Sequence, residues 1–386
     1  MVNLTALWQA KRATWQIKSN SRPIKQAILS RSWSRTLKLL MLGIVTIVSI
    51  VACGGNVTNN TISDRTHADP RSLSAPTDCR MVKHELGETK ICGKPQKVVA
   101  LGPLTLDLLL SLNQQPAAYA DVDIVQNFHD DYNNPSQQIP YLGDRVTSQP
   151  INVGIMNEPS LETLYRLKPD LIVGEVWANE AHYNLLSQIA PTIIVGRDGK
   201  GEWKQRIRIV AEALGDSEKV QQVIEVHDRQ LAATRAQLAP VVAAHQRVLI
   251  IRSAQLSQTI ALSNRNDFEG GLLEELGFQV VSLPKQSLTG ESPDAISIEV
   301  LPQFDADIII IQGSSTDRGK ELKQNIDQQV KQIQQQWNSN AIAQTMQASK
   351  EGHVYFVTLY LWRGLQGPIG TQLILDELRH LLLEHH

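Results

Sequence analysis

Cysteine is scarce in this chain: three residues in 386. That leaves no cysteine cluster of the kind that holds a metal or an iron–sulfur centre. The ten histidines show neither an HExxH pattern nor ligand spacing. No Gly-rich phosphate loop of either common form occurs, and no G-x-S-x-G elbow. Nothing in the chain therefore asks for an enzyme. Basic residues are also scarce where they would matter for nucleic acid. Eight Lys or Arg and no acid fall in residues 1–52, leaving 29 basic residues against 39 acidic ones in the remainder, a formal −10. A nucleic-acid binder needs a basic face, and this balance excludes it.

Long hydrophobic runs are absent too. The longest, Leu39–Ala52, has 14 residues, too few for the roughly 20 of a membrane-spanning helix but right for the apolar core of a signal sequence. It follows a basic segment and ends in Ile50-Val51-Ala52-Cys53, which resembles the bacterial lipobox. Residues 1–52 are therefore expected to be a lipoprotein signal peptide and Cys53 the lipidated residue. Residues 53–78 are polar and aperiodic and read as a flexible tether. Cys79 and Cys92 stand at the two ends of a hairpin pattern turning near Leu86-Gly87. Outside the cytoplasm, that pair favours a disulfide.

What the chain does have is an internal duplication. Ser160–Val173 (SLETLYRLKPDLIV) returns at 297–310 (SIEVLPQFDADIII) with one offset of 137 positions, so that Ser160, Glu162, Leu164, Asp170 and Ile172 meet Ser297, Glu299, Leu301, Asp307 and Ile309. Each copy reads as a Ser N-cap, a short helix, an Asp-containing turn and a buried strand. The period is far longer than a solenoid repeat of about 20–50 residues and implies two related lobes. Pro302 falls inside the second copy's helix and should kink or delay it.

Around these copies, strands alternate with helices: strands at 96–101, 117–121, 192–195, 247–252, 278–283 and 353–358, with a Gln-rich helical region over 317–349 and a closing helix after Gly367. Residues 126–150 read as a long loop. This pattern predicts an α/β fold of two Rossmann-like lobes (79–216 and 241–386) with central, mainly parallel sheets. Residues 217–240 form one long amphipathic helix, stopped by Pro240, that links the lobes as a rod with the ligand cleft between them. His227, on its apolar face, and Trp203 are expected to pack.

Several stretches resemble one family in order and spacing: VxHxxGET (82–89), QKVVAL (96–101), YLGD (141–144), PSLETLYRLKPDLIVG (159–174), LSQIAPT (186–192), AEALG (211–215), GGLLEELGF (270–278) and LWRGLQGPIGTQLILDEL (361–378). The chain is similar to the periplasmic binding-protein components of ABC importers for ferric siderophores, ferric citrate and cobalamin, the rigid-helix class. The resemblance implies a receptor of the periplasm or cell envelope with no resident cofactor or metal. Its ligand would be a ferric chelate, and its partner an ABC permease dimer gripping Glu162 and Glu299, one per lobe. An anionic, hydroxylated chelate would suit arginine forks and flat aromatic walls. Trp177, Arg197, Arg252, Tyr360, Trp362 and Arg363, each just after a strand, are the candidate ligand contacts, with Arg265 a weaker one. A cobalamin receptor, or an envelope structural protein that keeps the fold without transport, are the competing readings.

Overall fold

The computed structural model describes residues 78–122, 138–196, 202–258, 260–282, 295–314 and 322–383. The expected signal peptide, the lipidation site Cys53, all but the last residue of the tether, part of the 126–150 loop and Arg197 lie outside the described residues. No helix among the described residues is long and apolar enough to cross a membrane.

The chain enters through a hairpin, β1 (Cys79–His84) and β2 (Gly87–Cys92). Gly87 closes its turn at φ 132°, a backbone that a side chain would resist. Cys79 faces Cys92 in the register and the two are joined by a disulfide. Arg80 fastens the hairpin to the lobe by donating to the Ala213 carbonyl at 2.6 Å, at the end of a helix whose last carbonyls need partners.

The N-lobe continues as β3 (Val98–Leu101), α1 (Pro103–Ser111), β4 (Ala118–Asp121), β5 (Ile151–Ile155), β6 (Glu158–Pro159), α2 (Leu161–Leu167), β7 (Leu171–Glu175), α3 (Val176–Asn179), α4 (Tyr183–Ile189), β8 (Thr192–Val195) and α5 (Trp203–Leu214). Its sheet runs β6-β5-β4-β3-β7-β8, parallel except at β6. The linking helix, α6, spans Lys219–Ala244, about 39 Å at 1.5 Å per residue.

The C-lobe comprises β9 (Arg247–Ser253), β10 (Ile260–Leu262), α7 (Phe268–Leu276), β11 (Gln279–Val280), β12 (Ala295–Ile296), β13 (Ile308–Gly313), α8 (Leu322–Ser339), α9 (Gln347–Glu351), β14 (Val354–Thr358), a π-helical turn over Tyr360–Gly364 and the closing α10 (Pro368–Leu383). Its sheet runs β12-β10-β9-β13-β14, with β11 also beside β9. The β9–β13–β14 core is parallel. The two repeat copies thus lie in two different sheets.

Period-two alternation decides which face each strand side chain covers. Ile308 and Ile310 join the cluster shared with α6, α7 and α10, while Ile309 and Ile311 join the one under α8. Leu171 and Val173 likewise part from Ile172. Each fully buried isoleucine contributes about 1.5–3 kcal/mol.

Two expectations need correction. Pro240 does not stop the linking helix, because one proline removes a single backbone bond and the buried Val241 holds the last turn against the core. The second repeat copy is not an α-helix. Ile298–Gln303 is a 3₁₀ turn with Pro302 inside it, and Ser297 makes no side-chain cap. In the first copy Ser160 Oγ does accept from the Thr163 amide. Four short strands not anticipated, β5, β6, β10 and β12, widen the sheets at their edges, and the strand expected over 278–283 is present as the short β11.

The repeated aspartate has the same task in both lobes. Asp170 accepts from the amides of Gln96 and Lys97 at 2.9 and 2.8 Å. Asp307 accepts from the Arg247 amide at 2.8 Å and from its guanidinium at 2.7 Å. Each ties the entry of its strand to the lobe's first parallel strand. The lobes meet again at Asp107 of α1, which accepts from the amides of Ile369 and Gly370 at 3.0 and 2.7 Å, in the first turn of α10. A carboxylate there satisfies orphan helix donors and meets the positive end of the dipole. Burial nevertheless raises the Asp107 pKa to about 6, the four hydrogen bonds it accepts only partly opposing that.

Candidate ligand cleft

The carboxyl ends of the parallel strands are where an α/β sheet opens a crevice. In the N-lobe β3 gives way to Gly102, with φ 140°. A Cβ at that position would lie 2.5 Å from Glu175 Oε1 and 2.6 Å from Met156 Cε, so only glycine lets these chains close over it. Asp121 ends β4 and Glu175 ends β7, and both are buried. Glu175 Oε2 accepts from Trp177 Nε1 at 2.7 Å. Asp121 accepts from the Val122 amide at 2.7 Å and from the Tyr360 hydroxyl at 2.8 Å. Desolvation pushes Asp121 up to about 7 and the Glu175 charge adds to it, against the pull of those two hydrogen bonds.

The C-lobe supplies the facing wall. Tyr360 opens the π-helical turn after β14. It is buried, and its hydroxyl is pushed well above its ordinary pKa, first by burial and then by the Asp121 charge. Tyr141 stacks on it with ring centroids 6.1 Å apart, and the Tyr141 hydroxyl lies 2.9 Å from Thr358 Oγ1 at the end of β14. Asp121–Tyr360 and Tyr141–Thr358 therefore join the lobes directly across their strand ends.

Of the expected ligand residues, Trp177, Arg252 and Tyr360 stand at these strand ends. Trp177 is 44 % exposed. Arg363 is close by, but tied to Glu269 and Asp267 at 3.3 and 3.6 Å. Trp362 is misplaced by the sequence reading. It is fully buried and its indole donates to Glu377 Oε2 on α10 at 2.6 Å, so it faces the core instead of the cleft. Arg265 pairs with Glu274 on α7 at 3.3 Å. Trp203 and His227 pack as expected, ring centroids 4.4 Å apart, and burial lowers the His227 pKa. A cavity of about 400 Å³ lies elsewhere, against α6 and lined by Asn113, Arg145, Lys219 and Gln230 among others.

The sequence reading missed Asp121, Glu175, Ser253 and Gln312. Ser253 ends β9. Gln312, beside Arg252 in the register, lies near the end of β13, fully buried, with neither its amide nitrogen nor its oxygen hydrogen-bonded. The only signal for it is a lone amide after four consecutive isoleucines. No group of three or more His, Cys, Asp or Glu among the described residues could hold a metal ion.

The knobs that would grip a partner differ. Glu162 and Glu299 are both exposed. Glu162 forms an i,i+4 ion pair with Arg166 on α2. Glu299 is held by the Ser297 side chain, which with its own backbone amide lowers its pKa.

Two α/β lobes on one rod, their strand ends opposed, define a two-lobed solute-binding protein. The match to known proteins agrees: residues 98–360 fit the periplasmic binding protein family, and the chain belongs to it. It is 28 % identical over 307 residues to the putative ABC transporter substrate-binding lipoprotein YhfQ of Bacillus subtilis, covering 77 % of this chain and 87 % of that one. It is 25 % identical to the probable siderophore-binding lipoprotein YfiY of the same organism, over 90 % and 98 % of the two chains. The Staphylococcus aureus SirA structure complexed with staphyloferrin B shares the fold at a TM-score of 0.61 and 24 % identity, covering 79 % of this chain and 98 % of that one.

Proposed function

We propose that this protein is a lipid-anchored receptor that captures a ferric chelate between its lobes and delivers it to an ABC importer. The observation that carries this reading is the pairing of opposed strand ends across a single rigid helix, with Tyr360 reaching Asp121. The iron would arrive wrapped by its chelator and need no protein ligand. The protein performs no chemistry on it. The rod-like α6 and the Asp107 grip on α10 favour a small parting of the lobes over a wide hinge swing. Cys53 carries the lipid that keeps the receptor at the membrane. Glu162 and Glu299 present one carboxylate per lobe to a two-fold permease, an arrangement suited to charge-steered docking.

Trp177, half exposed at a strand end, provides the readout. Intrinsic fluorescence should change saturably on titration with at least one of ferric citrate, a ferric hydroxamate, a ferric catecholate or a corrinoid. Silence toward all four would leave the envelope-protein reading in its place. Charge reversal of Glu162 and Glu299 together should abolish uptake and leave ligand affinity intact. A loss of affinity in that variant would remove them from the docking role.

A further inference from the structure

Buried amides without partners are rare, and each one asks for a reason. Gln312 is such a case: fully buried, its nitrogen and oxygen both without a hydrogen bond. It lies on the β13 face that carries Ile308 and Ile310, and its register partner on β9 is Arg252. Ser253 Oγ, next along β9, is also buried without a partner. Gln312 and Ser253 stand near the carboxyl ends of β13 and β9, on opposite faces of the sheet, and β13 runs beside β14, whose end at Thr358 meets the Tyr141 hydroxyl. A glutamine with both functions open is complementary to a group that is donor and acceptor at once, which an amide is and a carboxylate is not.

The charges at the strand ends are unequal. The N-lobe places Asp121 and Glu175 there, both buried. The C-lobe offers Arg252 and Arg363, and Arg363 is already engaged by Glu269 and Asp267. Among the described residues the balance is acidic, not the cationic basin that a polyanionic chelate requires. The raised Asp121 pKa agrees: burial is its main cause, the Glu175 charge adds to it, and a ligand anion would add further.

We infer that the cleft is built for a ferric chelate that is neutral or cationic and carries amide groups, with Gln312 reading an amide on the C-lobe side and Asp121 and Glu175 facing its donor-bearing or cationic side. This rests on the receptor reading above and narrows its ligand class. Opening the Asp121–Tyr360 and Tyr141–Thr358 contacts gives the chelate access to Gln312.

The probes are ferrioxamine B, a cationic tris-hydroxamate with two amides and an ammonium group, and ferric enterobactin, a tris-catecholate trianion, titrated by calorimetry into the mature chain. Ferrioxamine B should bind and ferric enterobactin should bind about 10-fold or more weakly. Gln312→Leu should weaken ferrioxamine B by about 10-fold to 100-fold while the melting temperature of the ligand-free protein stays level or rises, because the substitution removes an unsatisfied buried amide. Gln312→Met provides the same test should the leucine variant not fold. Equal affinity for the two chelates, or a Gln312 variant that loses stability and keeps its affinity, overturns the inference and leaves the receptor reading standing. Absence of binding to any ferric chelate overturns both.

Discussion

The two lobes share a motif and put it to different use. In the N-lobe, the copy is a capped α-helix whose Glu162 is paired to Arg166. In the C-lobe, it is a 3₁₀ turn interrupted by Pro302, and Glu299 leans on Ser297. Among the repeated polar residues the aspartate keeps its task in both, tying strand to strand. The cleft walls diverge further. The N-lobe strand ends carry carboxylates whose partners are in place, and the C-lobe strand ends carry a buried amide and a buried hydroxyl that have none. A duplicated sequence thus fixes a duplicated frame, while the surfaces it carries are set by contacts that lie outside the repeat.

The largest effect expected from the frame concerns Asp107, the carboxylate by which the N-lobe holds α10. Its folded pKa of about 6 lies above its ordinary value of 3.8. The associated stability is present in full below the unfolded value and is lost as pH rises through the folded one, by up to about 3 kcal/mol. Asp107→Asn keeps an acceptor without the charge. Its stability relative to the parent should therefore improve as pH rises from 4 to 8, as read by urea unfolding. A flat difference would mean the carboxylate is not held as described.

A second experiment sharpens the comparison of the two aspartates. Asp307→Ala breaks bonds to both the amide and the guanidinium of Arg247 and should lower stability by about 1.5–3 kcal/mol, as charged hydrogen bonds do. Asp170→Ala loses only backbone donors at an exposed site and should cost less. Equal losses would erase the distinction between the lobes here. The smallest effect is expected from Pro302→Ala. It should restore a backbone donor to the C-lobe turn and shift the melting temperature by a degree or two at most, with chelate affinity unchanged.

Much of the frame was legible because periodicity is local. The four isoleucines of β13 and the Ser-capped copy at 160 declare themselves within one turn or one strand. The edge strands β6 and β12 span only two residues each and exist through pairing, which no short window reports. The cleft was less legible for the same reason. Arg363 was chosen for its place after a strand, but its neutralising partner Glu269 lies 94 residues away. Trp362 lies in a π-helical turn, and the rotation of that turn sends its ring to Glu377 on α10. Gln312 emerges only once its burial and hydrogen bonds are known together.

Hydrogen–deuterium exchange with and without a bound ferric chelate tests the central claim most directly. If the ligand sits between the lobes, amides at Gly102–Leu106 on one side and at Gly313, Ser314 and Leu359–Arg363 on the other should gain protection together. Protection confined to a single lobe, or centred on the cavity beside α6, would contradict it.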